Sequence, residues 1–382
     1  MVSVVVVVYN VEKYIERCLD SVKTQSFDEI EIIVVDSNST DRTGEICREY
    51  AKKDSRIIYV RKINEGPGLA RNLGLQMSKY TYVTFVDGDD WLERDAVMDM
   101  KRRADETRAD IIVGDIWYVH ENYVDKQKEL DIEKHYSKIR FTESGVVENI
   151  SKEFKYQMNI CRTFTWGKLY RREYLLEIGF EQGAYAYEDV ATVPYILAAC
   201  KMIAYVNKPV YNYLRNRDTS IVNDEKKARD MLIALEALYK KFNDEGVVTH
   251  YSNPLKRLMW GQIRFVCLKH LSSMKRIGKG ESSLYEKLIG FMEDKFNGFM
   301  VPDQCNIKVH NAPNAESILR NILIDTSNVR YICDDTNKRK YILVANETFE
   351  REYSLDEMME QKIEDESVMW HIVDDIFDKI WC

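Results

Sequence analysis

Residues 83–90 read Val-Thr-Phe-Val-Asp-Gly-Asp-Asp, an apolar run that ends in three acids. The apolar, β-branched half is typical of a buried strand, and Gly88 ends that strand where the acids begin. Two carboxylates a few ångströms apart repel each other by roughly 4 kcal/mol at an effective dielectric constant of 20. A cation between them would relieve the repulsion, and oxygen ligands at a strand end suit Mg²⁺ or Mn²⁺. The alternative is a solvated acidic turn, which an isolated Asp-x-Asp sequence would favour.

Strand-like and helix-like segments alternate on the N-terminal side of this stretch. Val2–Val8 and Ile30–Val35 are continuous apolar runs, typical of strands that are covered on both faces. This order predicts an α/β fold with a mainly parallel sheet, in which ligands bind at the carboxyl ends of the strands. The polar residues that follow the strands should therefore lie along one edge of the sheet. They are Tyr9, Asn10, Asp36 and the acids of residues 87–90.

Composition excludes several classes of protein. Residues 301–382 hold 17 acids and 9 bases, which accounts for the whole net charge of −8. The remaining residues are balanced, so we expect no nucleic-acid partner. The eight cysteines include no Cys-x-x-Cys pair, which argues against a structural zinc site and a disulfide framework. No apolar run reaches the roughly 18 residues of a membrane span, which predicts a cytoplasmic protein and leaves a peripheral contact with the inner face of the cell membrane open.

Seven segments resemble the motifs of family 2 glycosyltransferases, in the order and at the intervals of that family. Four of them are Val2–Tyr14, Val34–Asp41, Asn64–Gly74 and Phe85–Asp90. The other three look like acceptor-side motifs: Trp166–Arg172, Tyr187–Val190 and Arg215–Ile221. The likeness covers about residues 1–222. It implies a Rossmann-like GT-A fold, an inverting mechanism and a role in bacterial cell-surface polysaccharide synthesis.

The resemblance implies a nucleotide-sugar donor, with a UDP-sugar expected. Tyr9 would face the nucleobase, Asp36 would accept the imide N–H of uracil, and Arg71 would reach the diphosphate. Asp89 would bind Mn²⁺ or Mg²⁺, and Asp87 would reach the same metal or the ribose. Without such roles, Tyr9 would be a rim-packing aromatic, Asp36 a helix N-cap and Arg71 an exposed helix arginine. The other expected donor contacts are Val8, Asn64, Gly68, Gly88, Arg215, Arg217 and Ser220.

The resemblance also implies an acceptor side with its own catalytic acid. Asp189 would be the general base, and Glu188 would orient a neighbouring basic residue such as Lys168. Trp166 and Lys168 are expected to lie on the acceptor side. The competing interpretation is structural, because two acids in the first turn of a helix stabilise the helix dipole without any catalysis.

Two departures from the family pattern concern the donor side. Ser37 stands where the family often has a second acid. The sequence therefore does not decide which group accepts the imide N–H of uracil. Val7 stands where the family often has proline. The Gln-x-x-Arg-Trp motif of processive synthases is absent from the sequence, which predicts transfer of one sugar per encounter.

Three regions are predicted along the chain. Residues 1–222 form the GT-A catalytic domain, with a nucleotide-sugar half at 1–100 and an acceptor half at 101–222. Residues 223–300 have helical apolar spacing, and residues 301–382 form a small acidic α+β module. In this module we expect a hairpin of residues 330–333 with 340–344. An amphipathic helix over residues 354–382 begins with the capping box Ser354-Leu-Asp-Glu357.

The predicted function is the metal-dependent transfer of one sugar from a nucleotide-sugar to a hydroxyl of a glycan or lipid-linked glycan. A homodimer through the C-terminal helix is one expectation. Two alternatives are kept. One is a catalytically silent nucleotide-sugar sensor or scaffold. The other is a sugar nucleotidyltransferase, which the sequence disfavours because the glycine-rich signature of that class is missing near the N-terminus.

Overall fold

The computed structural model describes residues 1–63, 66–123, 130–137, 146–148, 163–215, 229–269, 284–296, 306–309, 341–346 and 349–354. The chain divides by its internal contacts into a unit of residues 1–260 and a unit of residues 261–382. Each unit is described by itself, and the predicted boundaries near residues 100, 222 and 300 remain predictions.

A single large sheet organises the first unit. Its strands are β1 (Val2–Val8), β2 (Ile30–Asp36), β3 (Ile57–Arg61), β4 (Tyr82–Asp87), β5 (Trp91–Leu92), β6 (Ile111–Tyr123), β7 (Leu130–Ser137), β8 (Val146–Glu148), β9 (Lys168–Arg171) and β10 (Met202–Arg215). The order across the sheet is β3-β2-β1-β4-β9-β6-β10-β5, with β7 joined to β6 and β8 to β10. Strands β1 to β4 are mutually parallel, and so are β6 and β10, which confirms the predicted α/β class with a mainly parallel sheet.

Helices of both units alternate with these strands or follow them. They are α1 (Ile15–Lys23), α2 (Thr43–Lys53), α3 (Pro67–Met77), α4 (Ala96–Thr107), α5 (Arg172–Glu177), α6 (Glu188–Ala199), α7 (Asp230–Asp244), α8 (Val248–Lys269) and α9 (Leu284–Lys295). The last three lie within residues 223–300, for which the sequence predicts helical spacing.

The strands that the sequence marked as covered on both faces are the centre of the core. Every residue of β1 and β2 is buried. Helix α3 packs directly on β1, since a Cβ added to Gly74 would lie 2.2 Å from Cγ1 of Val5. Glycine at this position therefore lets the helix backbone approach the sheet.

The strand register brings the predicted functional residues to one edge of the sheet. Val8 lies opposite Asp36 on β2, and Val7 lies opposite Asp87 on β4. The ends of three parallel strands are thus level with one another, which confirms the predicted convergence.

The second unit contains a three-stranded antiparallel sheet of β11 (Asn306–Val309), β12 (Tyr341–Asn346) and β13 (Phe349–Ser354). Residues 330–333, one strand of the expected hairpin, lie outside the described residues, and β12, which overlaps the other strand, pairs with β11 and β13. Ser354 ends β13, and the predicted helix that follows it also lies outside them.

Within the described part of the chain, Cys18, Cys47 and Cys200 are buried. Among the described helices, none has the length and apolar character that crossing a bilayer requires.

Candidate functional site

The acid stretch turns sharply after β4 and rests on the end of β1. The Gly88 N–H donates to the Val7 carbonyl over 2.9 Å. A Cβ on Gly88 would lie 2.6 Å from Cγ1 of Val8, so a side chain here would push the turn away from β1. Gly88 therefore lets the acid turn pack against the Val8 side chain, and a nucleotide contact by either residue stays a prediction.

Asp90, the third acid of the stretch, is committed to the protein itself. Its Oδ2 accepts a hydrogen bond from the Tyr211 hydroxyl at 2.8 Å, and its Oδ1 accepts one from the Leu214 N–H at 2.8 Å. Burial raises the pKa of Asp90 well above its usual range, and the carboxylates of Asp89 and Asp87 raise it further. Asp90 thus attaches the acid turn to the end of β10.

An aromatic stack lies behind this attachment. The Trp166 ring stacks on Tyr211 at a centroid distance of 4.5 Å and on Phe164 at 4.3 Å. Lys168 is buried, and its ammonium donates to the Phe164 carbonyl oxygen at 2.6 Å. Trp166 and Lys168 therefore lie inside the protein, where they support Tyr211 and its neighbours. An acceptor contact by either one stays a prediction.

Arg71 on α3 lies between the two groups of acids. Its Nη2 donates to Asp87 Oδ1 at 2.7 Å, and its Nη1 donates to Glu188 Oε1 at 2.6 Å. The residue is only 4% exposed, so the interpretation as an exposed helix arginine is wrong. Burial alone would lower the pKa of Arg71, but the carboxylates of Asp87 and Glu188 outweigh it and raise that pKa. Glu188 thus pairs with Arg71, where the sequence suggested Lys168.

The segment before Glu188 is docked on α3 by a reciprocal pair of hydrogen bonds. Asn72 Nδ2 donates to the Gln182 carbonyl at 2.9 Å, and the Gln182 N–H donates to Asn72 Oδ1 at 2.9 Å. The position above Gly68 is filled by the same segment, because an added Cβ would lie 2.5 Å from the Gly183 carbonyl oxygen. Gly68 is therefore needed for packing within the chain. Neither Asn72 nor Gln182 is among the predicted site residues; Asn72 lies within the motif Asn64–Gly74, whereas no local pattern marks Gln182.

Asp189 lies in the first turn of α6, two positions after a strained tyrosine. Tyr187 precedes the helix with a φ of 64°, in the left-handed region that non-glycine residues rarely adopt. Burial raises the pKa of Asp189 to about 7, and the Glu188 carboxylate contributes to this rise, while Arg71 opposes it. A carboxylate with a pKa near neutrality can accept a proton efficiently under physiological conditions.

The edge beside β2 is built around Asp36. Tyr9 is 46% exposed, whereas Asp36 is completely buried. Asp36 Oδ1 accepts from the Ser39 N–H at 2.8 Å and from the Ser39 hydroxyl at 2.7 Å, and Oδ2 accepts from the Tyr59 hydroxyl at 2.6 Å. The helix-cap interpretation is wrong, because α2 begins after Arg42 and has no side-chain cap. A uracil contact by Asp36 stays a prediction.

The loop after β1 is joined to the turn after β2. Asn10 Oδ1 accepts from the Thr40 N–H at 2.8 Å, and the Val11 N–H donates to Thr43 Oγ1 at 2.8 Å. These bonds connect two segments about thirty residues apart and hold the edge next to Tyr9 in one conformation. An edge ordered in this way is suited to ligand binding, because little ordering entropy is left to lose.

The acid turn fits a divalent cation. Asp87 and Asp89 supply hard oxygen donors, while Asp90 is occupied with Tyr211 and Leu214. Three acids in four positions concentrate negative charge there. After burial, these acids contribute to raising the pKa of the nearby Cys18 thiol well above its usual range. No group of three candidate ligands occurs among the described residues. Mg²⁺ is commonly bound by one or two carboxylates together with substrate phosphates, so two acids are sufficient.

Some expected donor residues cannot be placed. Asn64, Arg217 and Ser220 lie outside the described residues. Arg215 ends β10 next to Leu214, and its side chain is not described.

The chain is similar to known glycosyltransferases. Residues 3–179 match the model described as Glycosyl transferase family 2. Glycosyltransferase GlyA of Streptococcus pneumoniae is 36% identical over 226 residues, which are 59% of this chain and 32% of that protein. The chain thus spans about a third of GlyA. Glycosyltransferase GlyG of the same organism is 31% identical over 254 residues, or 64% of this chain and 80% of that protein.

A third relative has a solved structure. The Poly(ribitol-phosphate) beta-N-acetylglucosaminyltransferase TarS of Staphylococcus aureus is 36% identical over 114 residues, or 29% of this chain and 20% of that protein. Its crystal structure matches with a TM-score of 0.52 at 18% identity, over 92% of this chain and 60% of that one, which shows a common fold. From the family model and the extent of the match to GlyG, we conclude that this chain belongs to glycosyltransferase family 2.

Proposed function

We propose that the protein is a metal-dependent, inverting glycosyltransferase that moves one sugar from a nucleotide-sugar, most simply a UDP-sugar, to a hydroxyl of a glycan or lipid-linked glycan. One observation carries the proposal. Arg71 joins Asp87 of the acid turn to Glu188, the neighbour of Asp189, so the acids of the donor side and the candidate base form one connected cluster.

The roles within this cluster follow from its chemistry. Asp189 takes the proton of the acceptor hydroxyl, and the acceptor oxygen forms a bond to the anomeric carbon. The bond from that carbon to the diphosphate breaks on the opposite face, so the configuration at the anomeric carbon inverts. Asp87 and Asp89 would hold Mn²⁺ or Mg²⁺, which as a Lewis acid would neutralise charge on the departing nucleoside diphosphate.

The acceptor class is proposed from the relatives. TarS is by its name an enzyme of poly(ribitol-phosphate), a polymer of repeating phosphate and polyol units. A hydroxyl-bearing polymer or glycan of the bacterial cell surface is accordingly the acceptor to test first. A cytoplasmic location with a peripheral membrane contact belongs to the same proposal. So does a homodimer through residues 354–382, and an unchanged solution mass after their deletion would contradict the dimer.

The decisive experiment compares wild type with Asp189→Asn in a screen of nucleotide-sugars with Mn²⁺. Loss of a general base lowers rates by about 10²–10⁴-fold, so we expect transfer and background donor hydrolysis to fall in that range while UDP binding persists. Asp244→Asn is a matched control, because Asp244 is an exposed residue at the end of α7. Full activity of Asp189→Asn would remove this residue from the mechanism. Donor binding without turnover in wild type would favour the sensor alternative.

A further inference from the structure

We propose that Arg71 is a positioning residue, which holds the base-bearing segment at Glu188 in place against Asp87 instead of binding the donor diphosphate. The inference rests on the proposed function. It differs from the role that the sequence resemblance implies for the same arginine, and the two roles predict different kinetics.

Both terminal nitrogens of the Arg71 guanidinium are already engaged within the protein. Its two terminal nitrogens donate to Asp87 and Glu188 at 2.7 and 2.6 Å, and Nη1 also reaches Gln182 Oε1 at 3.3 Å. Its Nε is buried and has no hydrogen-bond partner in the described part of the chain. Because Nε is buried, a diphosphate would compete with Asp87 and Glu188 for the terminal nitrogens, and displacing either acid would leave a carboxylate without its counter-ion.

The surrounding side chains hold this bridge in place. Gln182 is fully buried, and its Nε2 donates to Thr165 Oγ1 at 2.9 Å, which leaves its Oε1 facing Arg71. Asn72, one residue after Arg71, clamps the backbone of Gln182. The absence of a side chain at Gly68 lets the segment approach α3 closely enough for the bridge to form.

The bridge through Arg71 connects the acid turn to the start of α6. Asp87 and Glu188 are 101 positions apart in the chain, and within the described residues they share Arg71 as a common ion-pair partner. Asp189 follows Glu188 directly in the first turn of α6. Because a catalytic base must be held within a fraction of an ångström of its productive position, release of Glu188 would impair proton transfer more than donor affinity.

The test is a double-mutant cycle with separate binding and rate measurements. Arg71→Met, Glu188→Gln and the double variant are compared for UDP affinity with Mn²⁺ by calorimetry and for kcat with saturating donor. We expect Arg71→Met to lower kcat by about 10²-fold with UDP affinity within threefold of wild type. The double variant should lose little more than Arg71→Met alone, because the two residues act as one unit.

Two other results would overturn the inference. A tenfold or larger loss of UDP affinity with kcat nearly unchanged would show that Arg71 binds the diphosphate. Rate losses that add in the double variant would show that Arg71 and Glu188 act independently.

A further variant covers the case in which Arg71→Met does not fold. Arg71→Lys keeps the charge but cannot span both acids with a fork of donors, so it should also lower kcat while preserving UDP affinity. Preserved kcat in Arg71→Lys would contradict the bridging role. If the proposed function itself is wrong, wild type will show no turnover with any nucleotide-sugar, and the inference falls with it. If only the inference is wrong, wild type will turn over and the variants will show one of the contradicting results.

Discussion

Gly68→Ala tests how closely α3 must approach the segment that carries the candidate base. The added Cβ would lie 2.5 Å from the Gly183 carbonyl oxygen, 2.9 Å from Cβ of Gln182 and 3.0 Å from Cγ of Glu188. Because an ordinary contact requires about 3.5 Å, the backbone at Gly183 must retreat by about 1 Å. A displacement of this size at a catalytic group can cost about 10²-fold in rate, so we expect kcat to fall by that factor.

The global stability of this variant should fall only modestly. Alanine is favoured over glycine in a helix by about 1 kcal/mol, and crowding of a packed site costs about 1–3 kcal/mol, so the net loss is about 0–2 kcal/mol. We therefore expect a folded protein with at most a modest decrease in melting temperature, together with the loss in kcat. Steady-state transfer kinetics and thermal unfolding of the same preparation measure both.

Gly290→Ala is the matched control, because Gly290 is also a helical glycine and nothing lies within 4 Å of an added Cβ there. It should leave kcat unchanged. A Gly68→Ala enzyme with kcat within threefold of wild type and an unchanged melting temperature would refute the reasoning, since residues 182–188 could then move without affecting the site.

Three further predictions concern the acids of the site. Asp36→Ala removes a buried acceptor of three hydrogen bonds, so we expect about 3 kcal/mol less stability in urea unfolding. A tenfold loss of UDP affinity with unchanged stability would instead identify Asp36 as the group that accepts the imide N–H of uracil. Asp89→Ala should abolish the rise in melting temperature that Mn²⁺ and UDP together produce in wild type, and an equal rise in both proteins would contradict the metal assignment. Burial and Glu188 raise the pKa of Asp189 to about 7, so the base is protonated and inactive below that pH, and kcat/KM should increase as pH rises through about 7; a midpoint near pH 4 would contradict this.

The edge of the sheet was predictable because its determinants are local. Fully apolar runs such as Val2–Val8 belong to strands buried on both faces, and polar residues after them must lie at the strand ends. The parallel register then places Asp36 and Asp87 next to β1 without any further information.

The division of labour within the acid stretch was not predictable from the stretch itself. Three acids in four positions are equivalent until the rest of the chain is placed around them. Asp90 is taken up by Tyr211 and the Leu214 N–H, more than a hundred residues away, and Asp87 is paired with Arg71. These assignments depend on how β10 and α3 pack, which periodicity does not encode.

The sequence by itself determined the α/β class, the strand ends that meet at one edge and the family to which the chain belongs, because strand burial and short motifs are read from neighbouring residues. Only the tertiary structure decided that Arg71 is buried, that it pairs with Glu188 and that Gly68 makes room for the segment before that acid. Arg71 and Glu188 are 117 positions apart. Hydrogen bonds between Asn72 and Gln182 bring α3 and the segment before Glu188 together, and no sequence pattern links these two parts of the chain. Residues 83–90 therefore predicted an acid turn at the edge of the sheet, while packing across the fold decided which partners Asp87 and Asp90 have.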